Sequence, residues 1–524
     1  MWSKFWHKIN NTVAGGAVII ACFSFLSKIL ALLRERLIAH NFAASEISDV
    51  YYAAFRLPDL IFNTLVLGAL TSAFIPVFQK VWNKNKEEGL ILANSVLNLF
   101  LVIIFFLSLG AFLFAPQIMK VLTPGFSDWQ MIKVTQMTRV MLLSILFFVA
   151  SNVAGGILNS WKRFFSFSLA ASFYNLGIIF GIIFLYPILG LNALAWGVVV
   201  GAALHLLVQL PELIKHGFRY RPVLKINAEL KRILFLMLPR TLGLAAGQIN
   251  LIFITMIASS LTVGSIAIFN FANNLQSLPI SLFAVSLAIA VFPTFTQAIQ
   301  EENKELFAQH FSNSFRRILF VLIPLSILIV ILRAQIVRVI LGTGAFTWED
   351  TYYTAQTLGF FAISIFAQGL IPILARSFYA WEDTKTPMLV SIFSILVNIA
   401  LSFLLVRHLQ VMGLALAFSL SSILNMVLLY LLLHKKNKDL DDQKIFFSII
   451  KISLISIPTG AITYLALQFL STIVDMRTFL GILIQGFGAG LVGLIIYLIL
   501  AIVFKLEEID LVRKLLKRLL KVVH

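Results

Sequence analysis

The chain has 524 residues, of which 60% are hydrophobic and 12% charged, with mean hydropathy +0.95 and a formal net charge of +18. A soluble fold leaves too much of its surface in water to hide that apolar share, so lipid is the solvent. The long unbroken apolar runs exclude a β-barrel, whose strands alternate over about ten positions, and the lone Cys22 excludes a disulfide framework or a cysteine metal site.

In chain order, residues 1–12 form a short basic amphipathic stretch. The run from Val13 to Phe42 lacks a small-residue cleavage pattern and leads straight into further apolar runs, so it reads as a retained helix and not a signal peptide. A spanning helix needs about 20 apolar residues. Stretches of that kind fall at 13–42, 48–80, 89–116, 131–160, 166–187, 191–214, 230–258, 264–298, 306–332, 349–381, 386–406, 409–434, 444–470 and 477–505. The expectation is an all-α polytopic membrane protein of about fourteen spans, closed by a basic amphipathic tail over 506–524 that lies on the membrane surface. With the N-terminus inside, the inner segments and adjoining span ends carry 27 Lys and Arg and the outer ones 6. That asymmetry places both termini in the cytoplasm and accounts for the net charge without nucleic acid.

The chain repeats itself. Gln117-Ile118-Met119-Lys120-Val121-Leu122 matches Gln335-Ile336-Val337-Arg338-Val339-Ile340, Pro76-Val77-Phe78 matches Pro293-Thr294-Phe295, and Trp161 matches Trp381, at offsets of 218, 217 and 220. Six spans per copy is an even number, so the two copies point the same way, as parallel lobes related by an axis along the membrane normal. The division expected is 1–222 for the first lobe, 223–437 for the second, and 438–524 for two extra spans and the tail.

Eight cations lie within spans: Lys28, Arg34, Arg36, Arg56, Arg139, Arg240, Arg376 and Lys451. Glu35 and Asp59, with Asp49 near a span end, are the acids that accompany them. Intramembrane charge is expensive and faces a bundle interior or a watery cavity. A cleft lined by Lys28, Arg34, Arg56, Arg240 and Arg376 suits an anion, and arginine fits phosphate in a bidentate fork. Arg36, Arg139 and Lys451 also have snorkelling to an interface open to them, and Arg34 with Glu35 reads equally as a simple intramembrane pair. Pro58, Pro76, Pro279, Pro293 and Pro372 bend or break their spans. Thr123-Pro124-Gly125-Phe126 is an outer turn, Gly486 and Gly490 a helix-packing pair, and His205 a packing residue of span six. Neither a phosphate-binding glycine loop nor a His/acid ligand spacing is present, so the sequence suggests no enzyme, cofactor or metal site.

Several stretches resemble the MurJ/MviN family of lipid II flippases, within the wider group that includes multidrug and polysaccharide-lipid exporters. They are Leu26-Ser27-Lys28 through Arg34-Glu35, Asp49 with Ala54-Phe55-Arg56-Leu57-Pro58, Gly68-Ala69 with Ser72-Ala73-Phe74-Ile75-Pro76, Thr123-Pro124-Gly125-Phe126, Gly156 to Phe164, and Asp383-Thr384-Lys385-Thr386-Pro387. The resemblance implies a flippase of the bacterial inner membrane. It would move the undecaprenyl-diphosphate peptidoglycan precursor from inner to outer leaflet by alternating access, with a groove on spans thirteen and fourteen for the lipid tail. The substrate-binding set it implies, joined to the cations above, is Arg34, Lys28, Ser27, Glu35, Asp49, Arg56, Arg240, Arg376 and Asn274. The chain departs from the family where it carries Lys28, Phe62, Leu67 and Asn273-Asn274 in place of charged residues, and Arg240 and Arg376 are the candidates to make good the lost arginines. Asn250 and Asn398 stand where some relatives place sodium-binding carboxylates, so sodium coupling has no support. The partners expected are a lipid-linked diphosphate, membrane lipids and cell-wall synthesis enzymes, around a monomer. A flippase for another polyprenyl-diphosphate glycan is the first alternative. A multidrug antiporter would need an acidic cavity, and a cell-wall scaffold draws only on the lost arginines.

Overall fold

The computed structural model describes residues 13–67 and 73–510, without the side chains of residues 13–18, 67, 238–240 and 242. The amphipathic segment expected at residues 1–12, residues 511–524 of the tail expected over 506–524, and the motif residues Gly68, Ala69 and Ser72 lie outside the described residues. Those described are helices and connecting turns, with no strand among them.

Ten helices are long and apolar enough to cross a membrane, or eleven when Trp348–Ala362 and Ile365–Ala380, bent by 45° at a short break, count as one. Each falls in one of the fourteen expected stretches. The first, second and seventh stretches are helical as well, over Val13–Phe42, over the pieces Glu46–Ala54, Arg56–Ile61, Phe62–Leu67 and Ile75–Lys84, and over Ala228–Ser259. The arrangement is therefore consistent with fourteen spans.

The duplication read in the sequence recurs in local geometry. A π-helical stretch interrupts span two at Phe62–Leu67 and span eight at Ile280–Val285, an offset of 218. Asn85 and Asn303, again 218 apart, cap spans three and nine by accepting amide hydrogens with their side chains. Ser127 and Thr347, 220 apart, form capping boxes with Gln130 and Asp350 at the starts of spans four and ten. Lys162 and Glu382 take positive φ, 60° and 58°, just past those spans, and Gly190 and Gln410 take positive φ, 56° and 50°, ahead of spans six and twelve. Caps and helix irregularities are set by a few local residues, so they persist at fixed spacing after the apolar positions between them have diverged.

The chain packs as two compact units, Met1–Ala267 and Ile268–His524. In the first, Phe74 and Phe78 stack at 5.2 Å, and Trp82 lies 5.0 Å from Trp161. Span seven packs within this unit: Thr255 meets Arg56, and a side chain on Gly125 would run into the Ser259 carbonyl at 2.2 Å. Spans five and six touch backbone to backbone, since a Cβ on Gly177 would lie 2.2 Å from the Gly201 Cα and one on Gly181 would lie 2.5 Å from the Gly197 Cα.

In the second unit an aromatic ladder of Phe295, Phe307, Phe311 and Phe315 fills the core, with Trp381 4.4 Å from Phe307. Tyr497 of span fourteen donates to the Phe320 carbonyl at 2.7 Å. Gly486 and Gly490 face Gln335 and Leu332 of span nine, in keeping with a packing role. Buried Arg316 donates to Glu507 at 2.8 Å and to Glu508 at 2.9 Å, and Ser448 also donates to Glu508, at 2.7 Å. This cluster ties the segment after span fourteen to spans nine and thirteen. At the loop into span eleven, Asp383 accepts from the Thr386 amide at 3.0 Å, from the Thr386 hydroxyl at 2.9 Å and from Lys436 at 3.0 Å. Partial burial acts to raise its pKa, but these donors outweigh it and hold the carboxyl below the usual carboxylate range.

Candidate substrate site

The helix Val13–Phe42 carries Ser27, Lys28, Arg34 and Glu35. An unpaired charge at the middle of a span costs about 2.5–3.5 kcal/mol, so the first question is where each finds a partner. Arg34 donates through Nη2 to Glu35 Oε1 at 2.5 Å and through Nη1 to Asn175 Oδ1 of span five at 3.3 Å. Glu35 is 3% exposed, and the Tyr52 hydroxyl donates to its other oxygen. Asn175 in turn donates to the carbonyl and hydroxyl of Ser27, each at 3.3 Å. Arg34, Glu35 and Ser27 therefore belong to one polar cluster, completed by Tyr52 and Asn175. Lys28 is half-buried and makes no hydrogen bond among the described residues. The side chain of Arg34 keeps 19% exposure, and its Nε is buried without a partner among the described residues. A guanidinium has five donors, so this one retains capacity for an anion.

The other expected residues divide. Arg56 is buried and its Nε donates to Thr255 at 2.6 Å, joining spans two and seven. Asp49 is buried with both oxygens occupied, accepting from the Gly264 amide at 2.7 Å and the Ala267 amide at 2.8 Å where a helix opens at Ser265. That is the work of an N-cap at a distance: it satisfies orphan amides and complements the helix dipole. Arg376 donates to the Pro372 carbonyl of its own helix at 3.3 Å and is half-buried. The side chain of Arg240 lies outside the described residues. Asn274 is half-buried, and its carbonyl accepts from Ser277. Its neighbour Asn273 starts a neutral ladder in the second unit: Gln276 donates to Asn273, Gln368 donates to Gln276 and Ser364, and Ser364 donates to Ser419. The ladder sits at the break in span ten.

Phe62 packs on Phe148 at 4.8 Å, and Phe148 on Tyr174 at 5.1 Å. These rings and Asp59 line a small cavity in the first unit. His205 is hydrogen-bonded to Ser151 at 2.5 Å and sits edge-on to Phe148, so it packs as expected but also holds a polar partner. Arg139 is half-buried against the Phe112 ring and carbonyl, and Lys451 is exposed. Two cavities open in the second unit. One of about 740 Å³ is lined by Glu305, Asp439, Asp441 and Asp442 with Lys444 as its cation, a net negative charge that repels a diphosphate. The other, of about 420 Å³, is almost wholly apolar, with Phe315, Leu319, Ile323, Phe366, Met426 and Ile449 in its walls. Spans nine, ten, twelve and thirteen form it, and no residue of span fourteen does.

Sequence reasoning missed Tyr52 and Asn175. The available signal was an amide, Asn175, in a span five whose other polar residues are serines and tyrosines, and a tyrosine 17 residues after Glu35.

Comparison with known proteins gives this site a context. The family model described as "Lipid II flippase MurJ" matches residues 38–484. A probable lipid II flippase MurJ of Buchnera aphidicola subsp. Acyrthosiphon pisum is 29% identical over 487 residues, 92% of this chain and 95% of that protein. The lipid II flippase MurJ of Burkholderia cenocepacia is 29% identical over 429 residues, 80% and 83% of the two chains. Among solved structures, a lipid II flippase MurJ in an inward closed conformation aligns with TM-score 0.78 and 27% identity, covering 93% of this chain and 98% of that one. An inward-facing multidrug transporter of the MATE family aligns with TM-score 0.69 at 15% identity, which speaks to the fold alone. With its matched region running through all but the two ends, the chain belongs to the lipid II flippase MurJ family.

Proposed function

We propose that this chain is a lipid II flippase, a transporter and not an enzyme, that moves the lipid-linked peptidoglycan precursor across the bacterial inner membrane. The observation that carries the reading is the family match over residues 38–484. The chemistry of the first unit agrees with it: Arg34 is held in a span by Glu35 and Asn175 and retains unspent donors that suit a diphosphate. On this reading Arg34 grips the diphosphate, with Lys28 adding charge and Ser27, Glu35 and Arg56 shaping its surroundings. Arg240, Arg376 and Asn274 serve the same anion from spans seven, ten and eight. The apolar cavity of the second unit takes part of the lipid tail. The repeat supports two lobes, 1–222 and 223–437, that rock in alternating access, with 438–524 appended; the charge asymmetry supports cytoplasmic termini. The protein works as a monomer beside cell-wall synthesis enzymes. A drug antiporter is disfavoured by the basic character of the charged span residues.

The test is depletion of the protein in its own cell. Lipid II should accumulate on the cytoplasmic side and wall synthesis should stop, with a plasmid copy restoring both. Unchanged lipid II distribution after full depletion, with no other flippase taking over, would refute the reading.

A further inference from the structure

We propose that Asn175 of span five is a positioning residue for the Arg34 guanidinium, and that it thereby sets recognition of a lipid-linked diphosphate over a monophosphate. The inference rests on the reading that Arg34 grips the diphosphate.

The argument begins with the amide's own hydrogen bonds. Its Nδ2 lies 3.1 Å from the Ala171 carbonyl and 3.3 Å from the Ser27 carbonyl. Carbonyl oxygens only accept, so the NH₂ end must face them and the amide has one orientation. Oδ1 is then forced toward Arg34 Nη1. Asn175 is 5% exposed, so water does not compete for that oxygen.

Its backbone is equally fixed. Two residues on, Gly177 lies against Gly201 with no room for a Cβ, and Gly181 against Gly197 likewise, so span five has no lateral play against span six. A rigid amide on a rigid helix thus takes one N–H of Arg34, while Glu35, itself held by Tyr52, takes another. Two fixed acceptors, one on span one and one on span five, define the plane of the guanidinium and the edge that remains open. A point charge would not care about that plane, but a bidentate contact to two phosphoryl groups does.

The side-chain type follows from the same geometry. Aspartate is isosteric, but it would set an oxygen against the Ala171 and Ser27 carbonyls and neutralise Arg34. Alanine would leave Nη1 unpaired and the guanidinium free to turn.

Binding to purified, lipid-embedded protein tests this, with undecaprenyl diphosphate and undecaprenyl monophosphate as the two probes. Wild type should prefer the diphosphate. Asn175→Ala should weaken diphosphate binding about tenfold, the scale of one hydrogen bond to a charged group, and leave the monophosphate nearly unchanged. Asn175→Asp, which keeps the volume, should also lose the preference and decides the matter by itself if the alanine variant does not insert. An equal loss for both lipids, or an unaltered preference, would mean that Asn175 only packs span one on span five and would overturn the proposal. Arg34→Ala is the control arm. If it lowers diphosphate binding while the Asn175 variants keep the wild-type preference, the positioning role falls and the Arg34 grip stands. If Arg34→Ala binds diphosphate like wild type, the grip fails and the positioning role with it.

Discussion

The two units carry the same local frame and fill it with different chemistry. Each holds a π-helical stretch at the same place in its repeat, Phe62–Leu67 in one and Ile280–Val285 in the other. Beside the first lie Asp59, Arg56 held by buried Thr255, and the cluster of Arg34, Glu35, Tyr52 and Asn175. Ahead of the second lie Asn273 and Gln276, linked to Gln368, Ser364 and Ser419 by neutral hydrogen bonds, with Asn274 beside them. A neutral ladder satisfies itself and attracts no anion over distance, whereas a guanidinium with unspent donors does. The difference teaches that the irregular backbone recurs in both units while the charge does not; on the function proposed above, the capacity to bind a diphosphate is greater in the first unit.

The largest expected effect comes from removing that capacity. Arg34→Ala should abolish complementation of a flippase-depleted cell at normal protein level. Arg34→Lys should be clearly weaker than wild type, because it keeps the charge and loses the fork. Next is a loss of stability in the second unit. Arg316→Ala leaves Glu508 buried without its cation, which should cost about 3–5 kcal/mol, read as a fall in thermal unfolding temperature and in protein level. A leucine at Gln368 removes two ladder bonds and leaves Gln276 short of a partner. It should cost about 1–3 kcal/mol and lower the unfolding temperature while transport per molecule persists; loss of transport at normal stability would instead give the ladder a part in the substrate path. Arg376→Gln should reduce transport less than Arg34→Lys, since its guanidinium is partly spent on the Pro372 carbonyl. The smallest effect is expected of Phe62→Ala, which removes an aromatic contact with Phe148 and no charge. Should Arg376→Gln match Arg34→Ala in the complementation assay, the two units share the work and the contrast between them dissolves.

Much of the fold was legible in the sequence. Apolar runs of span length located the helices, because lipid forces backbone polar groups to be satisfied within each segment. Three short matches exposed the duplication that the caps at Asn85 and Asn303 and the turns at Lys162 and Glu382 repeat. The site was legible only in part. Arg34 and Glu35 stood out because charge in an apolar run is conspicuous, and their pairing followed from adjacency. Asp49 was equally conspicuous, yet its carboxylate serves amides more than 200 residues away, a contact that no local pattern encodes. Asn175 and Tyr52 escaped notice because a single amide or phenol carries no charge signal, and their value lies in where span five and the second helical stretch bring them.

Translocation in a depleted cell, followed as lipid II that becomes accessible on the outer face, compares the two units most directly when Arg34→Ala and Gln368→Leu are set side by side at matched protein levels. The account predicts that Gln368→Leu exposes lipid II at close to the wild-type rate per molecule and that Arg34→Ala exposes none. Wild-type exposure by Arg34→Ala, correctly inserted, would contradict the claim that the first unit grips the diphosphate.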